Sequence, residues 1–144
     1  MTKIDFYTHT ENKFQTACVL AAKAVTRGMK VMVFTPDSVM ADKLDKLMWS
    51  YSAIGFLPHC RVEDKLAEVT PIVIDHLGTN FLHDDVLINM HQEQPAFFSR
   101  FQRLIEIVGL EEEDRQFARN RFRFYRDRGY ELQSHDLSKQ NNPG

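Results

Sequence analysis

The chain has 144 residues, 43% of them apolar and 26% charged, with a formal net charge of −2. That is one domain's worth of sequence with enough apolar material for a single core. Its longest apolar run is the six residues Ala17–Ala22, far short of a membrane-spanning helix. The N-terminus MTKIDFYTHT lacks the apolar stretch of a signal peptide. Cys18 and Cys60 are too few for a disulfide framework, so a reduced, cytoplasmic setting is expected.

In chain order, KIDFY predicts a first strand through Ile4, Phe6 and Tyr7. Thr8 and Glu11 have capping-box spacing. Phe14, Ala17, Cys18, Ala21 and Val25 then recur at helical spacing, and Gly28 ends that helix. Lys30–Phe34 predicts a strand buried on both faces. Pro36 and Asp37 make a turn and N-cap, followed by a helix with the stripe Met40, Leu44, Leu47, Met48 and Tyr51. Further strands are expected at Pro71–Asp75, Val86–Met90 and Leu104–Val108. Glu111–Arg128 is the last helix, ended by Gly129, and Tyr130–Leu132 is an edge strand. Alternating strands and helices point to one α/β domain of three layers around a largely parallel sheet. It is expected to span 1–133, with 134–144 a polar, disordered tail.

The six glycines are too dispersed for a dinucleotide-binding turn or a P-loop. Asp75, at the end of PIVID, therefore reads as the close of a buried strand. The six histidines are scattered, and no cofactor, metal site or independent catalytic site is expected.

Charge is distributed unevenly. Residues 1–114 carry 11 basic and 17 acidic side chains, and 115–128 carry six arginines and one aspartate. At about 100° per residue, Arg115, Arg119, Arg123 and Arg126 share one sector of the last helix, with Phe122 among them. Phe117, Ala118, Phe124 and Tyr125 lie outside that sector. A basic stripe by itself is commonly a solvated face. An aromatic set inside one suits a partner both anionic and apolar. Peptide carboxylates and single-stranded nucleic-acid phosphates both answer that description. A second feature gathers Trp49, Tyr51 and Phe56 around a helix end, either as a local cluster or as a protein-contact patch.

KIDFYTHT, LMWSYSAIGFLPH, PAFFSRFQRLIEIV and FARNRFRFYRDRGYEL together resemble the chi subunit family of bacterial DNA polymerase III holoenzyme, over roughly residues 3–132. The resemblance implies a Rossmann-like α/β fold that has no nucleotide-binding loop. It implies a non-catalytic accessory subunit that binds the psi subunit, and through psi the clamp loader. It also implies binding of the acidic C-terminal tail of single-stranded-DNA-binding protein, which ends in an apolar pair and a terminal Phe. Residue by residue, Arg119, Arg115, Phe122, Arg123 and Val108 match the tail site. Arg126 joins them from the helical sector. Trp49, Phe56 and Pro58 match the psi contact. Family members often carry tyrosine at the position of Phe122, and lysine occurs at the positions of Arg115 and Arg123. The competing reading is a module that binds single-stranded nucleic acid directly.

Overall fold

The computed structural model describes residues 1–51 and 57–140. Its elements in chain order are β1 (Lys3–Thr10), α1 (Lys13–Thr26), β2 (Val31–Phe34), α2 (Ser38–Tyr51), β3 (His59–Arg61), β4 (Ile72–Asp75), β5 (Val86–Asn89), β6 (Arg103–Gly109), α3 (Glu112–Asp127), β7 (Leu132–Asp136) and α4 (Leu137–Gln140). Short 3-10 turns lie at Ala67–Val69 and Phe98–Arg100. No helix among the described residues is long and apolar enough to cross a membrane.

The strands form one seven-stranded sheet, ordered β3-β4-β2-β5-β6-β1-β7. Every pairing is parallel. A parallel sheet needs cover on both faces, and the side chains alternate accordingly. Val31 and Val33 point to the cluster under α1 and α2, which includes Ala17, Leu44, Ile74 and Ile88. Met32 points the other way, toward Phe6, Phe98, Phe101, Leu104 and Tyr125 under α3. The expected three-layer α/β domain is the observed architecture.

Two local expectations change. Thr8 does not cap α1, because β1 is paired on both flanks and runs on to Thr10. Asn12 caps the helix instead, accepting the Gln15 N–H at 3.1 Å. The edge strand is Leu132–Asp136, not Tyr130–Leu132. It continues past residue 133 and leads into α4, because its ladder with β1 runs to the Thr8–Asp136 pair.

Other signals hold. The Asp37 carboxylate accepts the Met40 N–H at 2.8 Å. Gly28 and Gly129 both sit at positive φ and close their helices with Schellman-type bonds, Met29 N–H to Ala24 O and Tyr130 N–H to Tyr125 O. Asp75 is buried, and its carboxylate accepts the Leu77 and Gly78 N–H groups, which turns the chain as β4 ends.

Candidate functional site: a crevice at the carboxyl ends of β1 and β6

β1 and β6 are neighbours, yet their connections part. α1 leads from β1 toward β2 on one face, and α3 leads from β6 to β7 on the other. Where connections diverge in this way, an open α/β sheet leaves a crevice at its carboxyl edge. A cavity of about 210 Å³ lies there. Phe6, Thr8 and His9 contribute from β1, Val108 and Gly109 from β6, and Ser134 from β7. Arg115, Ala118, Arg119 and Phe122 contribute from α3.

The walls are apolar. Val108 and Ala118 are buried, and Phe122 is half-buried, edge-on to Phe6 with ring centroids 5.3 Å apart. The rim is cationic. Arg119 is about half exposed and pairs with Glu112 at 3.1 Å, and it also donates to the Gln116 side-chain Oε1 at 2.9 Å. Arg115 stands 3.9 Å from the same Glu112. His9 adopts φ 57° where the β1–β6 register shifts between Tyr7 and Thr10, and its Nδ1 lies 3.1 Å from an Asp136 carboxylate oxygen. That irregularity lies where Thr8 and His9 line the cavity.

This is not a phosphate cradle. The first turn of α3 carries Glu112, Glu113 and Asp114. Asp114 accepts the Gly109 N–H at 2.6 Å and pairs with Lys13 of α1 at 3.0 Å. A helix N-terminus ordinarily favours an incoming anion. Here the chain's own carboxylates occupy that role and repel a second anion. Gly109 permits the approach, since a Cβ there would lie only 3.3 Å from Asp114. Among the described residues no cluster of three or more potential ligands could hold a metal ion.

The structure thus brings together Val108, Arg115, Arg119 and Phe122. Arg123 and Arg126 do not line the cavity. Both are exposed farther along α3, with Arg123 donating to the Asn120 side-chain Oδ1 at 3.0 Å and Arg126 beside Asp127 at 3.3 Å.

One of the six clustered arginines faces inward. Arg121 is 2% exposed and pairs at 2.9 Å with Glu106, which is fully buried on β6. Tyr125 donates to the other Glu106 oxygen at 2.6 Å, Asn89 donates to both oxygens, and Arg121 also donates to the Gln92 carbonyl at 2.7 Å. Burial raises the Glu106 carboxyl above the ordinary carboxylate range, against the opposing pull of Arg121 and the three donors. This network fixes the rotation of α3 on the sheet, and so fixes which arginines reach the crevice. A sequence signal for it existed. Glu106 is a lone carboxylate in the apolar run LIEIV, and Arg121 falls on the wheel between Phe124 and Tyr125. Phe6, His9 and Ser134 gave no such signal, because their approach depends on strand order.

At the opposite edge of the sheet, Trp49 of α2 is 60% exposed and edge-on to the His59 ring at 4.8 Å. His59 is buried, with Nδ1 2.7 Å from the Leu57 carbonyl and Nε2 3.2 Å from Asp45. Pro58 is half-buried beside it. Phe56 lies outside the described residues. Four to five strand spacings separate this patch from the crevice, roughly 20 Å.

Fold and site define an α/β protein whose switch-point crevice is shaped for an apolar group flanked by guanidinium groups, without a nucleotide cradle. The family model described as DNA polymerase III chi subunit, HolC, matches residues 1–133. A DNA polymerase III subunit chi of Pseudomonas aeruginosa is 37% identical over 143 residues, covering 96% of this chain and 99% of the relative. That of Haemophilus influenzae is 32% identical over 137 residues, covering 92% and 95%. That of Escherichia coli is 27% identical over 119 residues, covering 82% and 81%. The chain belongs to the DNA polymerase III chi subunit family.

Proposed function

We propose that this chain is a non-catalytic adaptor in bacterial DNA replication, working in the cytoplasm as the chi subunit of the polymerase III clamp-loader complex. It links psi to the acidic C-terminal tail of single-stranded-DNA-binding protein. One observation carries this reading: Val108, Arg115, Arg119 and Phe122 line a single cavity, apolar within and cationic at its rim.

The terminal Phe of the tail enters between Val108 and Phe122. A cavity of about 150 Å³ accepts benzene, so about 210 Å³ accommodates a phenyl group. Arg119 takes the terminal carboxylate or a neighbouring acid. Arg115, and Arg123 and Arg126 along the exposed face of α3, attract the upstream aspartates. Exposed ion pairs contribute about 0.2–1 kcal/mol each, whereas a fully buried Phe contributes about 1.5–3 kcal/mol. The ring therefore supplies the anchor, and the arginines supply orientation and association rate. Psi docks on Trp49, Phe56 and Pro58 at the far edge of the sheet.

The test is fluorescence anisotropy with a labelled acidic peptide ending in Ile-Pro-Phe, beside the same peptide without its Phe. Saturable binding that disappears with the Phe is expected. No binding to either peptide, together with tight and steeply salt-dependent binding of oligo-dT, overturns this reading in favour of direct nucleic-acid binding.

A further inference from the structure

The two faces of the sheet are unequally covered. α3 packs over β6 and β7 on one side, while on the other α1 packs over β2, β5 and β6. Among the described residues, the α1 side of β1 and β7 is left to the four-residue α4, which touches β1. Tyr7 of β1 and His135 of β7 pave that strip, stacked 4.6 Å apart at 18°. His135 Nε2 lies 2.9 Å from Asp5, which also takes Arg103 at 2.9 Å.

Between this paving and α1 runs a cleft made of two adjoining cavities, about 410 and 120 Å³, that share Tyr7, Leu20 and Lys23. Its chemistry changes along its length. Glu11 stands at the upper end with the polar His9, Thr10, Asn12, Gln15 and Thr16, and Tyr7, Val19, Leu20 and Leu137 form an apolar strip beside them. The lower cavity has apolar walls of Leu20, Ala24, Met29, Val86 and Ile105, with Lys23, Arg27 and Arg103 also lining it. Burial raises the Tyr7 phenol, Asp5 adds to it, and Arg103 and Arg27 oppose it, which places both guanidinium charges near this ring. Lys23 and Arg27 are exposed and make no ion pair among the described residues. Arg103 Nε is buried without a hydrogen-bond partner.

We infer that this cleft docks an amphipathic helix of a partner protein, with its acidic end at Lys23, Arg27 and Arg103. The cleft follows the 14 residues of α1, about 21 Å of helix. A helix laid beside α1 at about 8–10 Å covers the strip and completes the third layer. Its apolar stripe rests on Tyr7, Val19 and Leu20. The lower cavity has room for the end of one acidic side chain, which Lys23 and Arg27 complement, together with the Arg103 Nε that lacks a hydrogen-bond partner. A nucleic-acid strand fits less well, because Glu11 interrupts the positive track that a phosphate backbone requires.

The probe is a capped helical peptide of the length of α1, with leucines at i, i+3, i+4 and i+7, glutamates in its last turn and lysines in its first. Titrated into the full-length ¹⁵N-labelled protein, it is expected to shift the amides of Tyr7, Val19, Lys23 and Arg27 and to leave Arg119 in place. The double variant Lys23→Gln, Arg27→Gln keeps the exposed helix and weakens binding roughly tenfold. Oligo-dT does not compete. Full affinity in the double variant, equal binding of an all-lysine peptide, or shifts confined to other faces overturn the inference. Displacement of the peptide by oligo-dT overturns the choice of a protein partner.

Discussion

On the proposed reading, Glu112 is the acid that an incoming acidic tail displaces. Its carboxylate lies 3.1 Å from Arg119 and 3.9 Å from Arg115, the two guanidinium groups at the crevice rim. Glu112→Gln removes the charge and nearly preserves the shape. Two unit charges 4 Å apart in water interact by about 1 kcal/mol. The Glu112 side chain is 71% exposed, so each pair is held to the lower part of the range of about 0.2–1 kcal/mol for exposed pairs. Freeing both cations strengthens tail binding by about 0.5–1 kcal/mol, roughly two- to fivefold in Kd. The same substitution removes a carboxylate from the first turn of α3, at a cost of about 0.3–1 kcal/mol in stability. Affinity and thermal stability therefore move in opposite directions. Anisotropy with the Phe-ended acidic peptide, run at two salt concentrations beside thermal melts, measures both. The gain in affinity shrinks at high salt. An unchanged or weaker Kd at low salt refutes the placement of the tail's acids at Arg115 and Arg119.

Arg119→Ala is expected to weaken tail binding and spare psi, and Trp49→Ala the reverse; matched titrations of both variants with both ligands test this, and equal losses at both faces count against two separate sites. Arg121→Met leaves Glu106 buried without its cation and costs about 3–5 kcal/mol at neutral pH. The folded Glu106 pKa is already raised, so this group favours the fold below its unfolded pKa, and that contribution is lost as pH rises through the folded value. Removing Arg121 raises the folded pKa further, so the variant's deficit in urea melts should shrink as pH falls toward the ordinary carboxylate range; a pH-independent deficit rejects this. Burial pushes the Cys18 thiol up to about 11, while Cys60 is only partly buried. Mass-mapped alkylation of the native protein at mildly alkaline pH should label Cys60 first and Cys18 only through unfolding. Equal rates would place Cys18 outside the core.

Strongly patterned elements were legible in the sequence. β2, β4 and β5 are apolar on both faces, and Gly28 and Gly129 mark helix ends by a backbone requirement that neighbouring side chains cannot override. β3 was not legible: His-Cys-Arg has neither apolar continuity nor alternation, and it is a strand because β4 offers it an edge. β7 is likewise polar and is held by its ladder to β1. At the crevice, periodicity along one helix placed Arg115, Arg119 and Phe122 together. The contribution of β1 was hidden, because Phe6 and His9 meet α3 only through strand order. Arg121 lies outside the sector of Arg115, Arg119, Arg123 and Arg126, and its inward turn is readable from the lone Glu106 carboxylate in LIEIV, but the sequence reading did not join the two.

β1 has a kinetic consequence as well. It is made first, yet both of its partners come from the last third of the chain, with Lys3 opposite Arg103 and Ile4 opposite Leu132. During synthesis the strand must wait, its edges unpaired, until β6 and β7 have emerged about a hundred residues later. Such long-range closure slows folding and prolongs the exposure of an aggregation-prone edge. The crevice lies on this last seam, so a chain truncated before β6 would lack it altogether. Emergence of β6, α3 and β7 and acquisition of the site become one event.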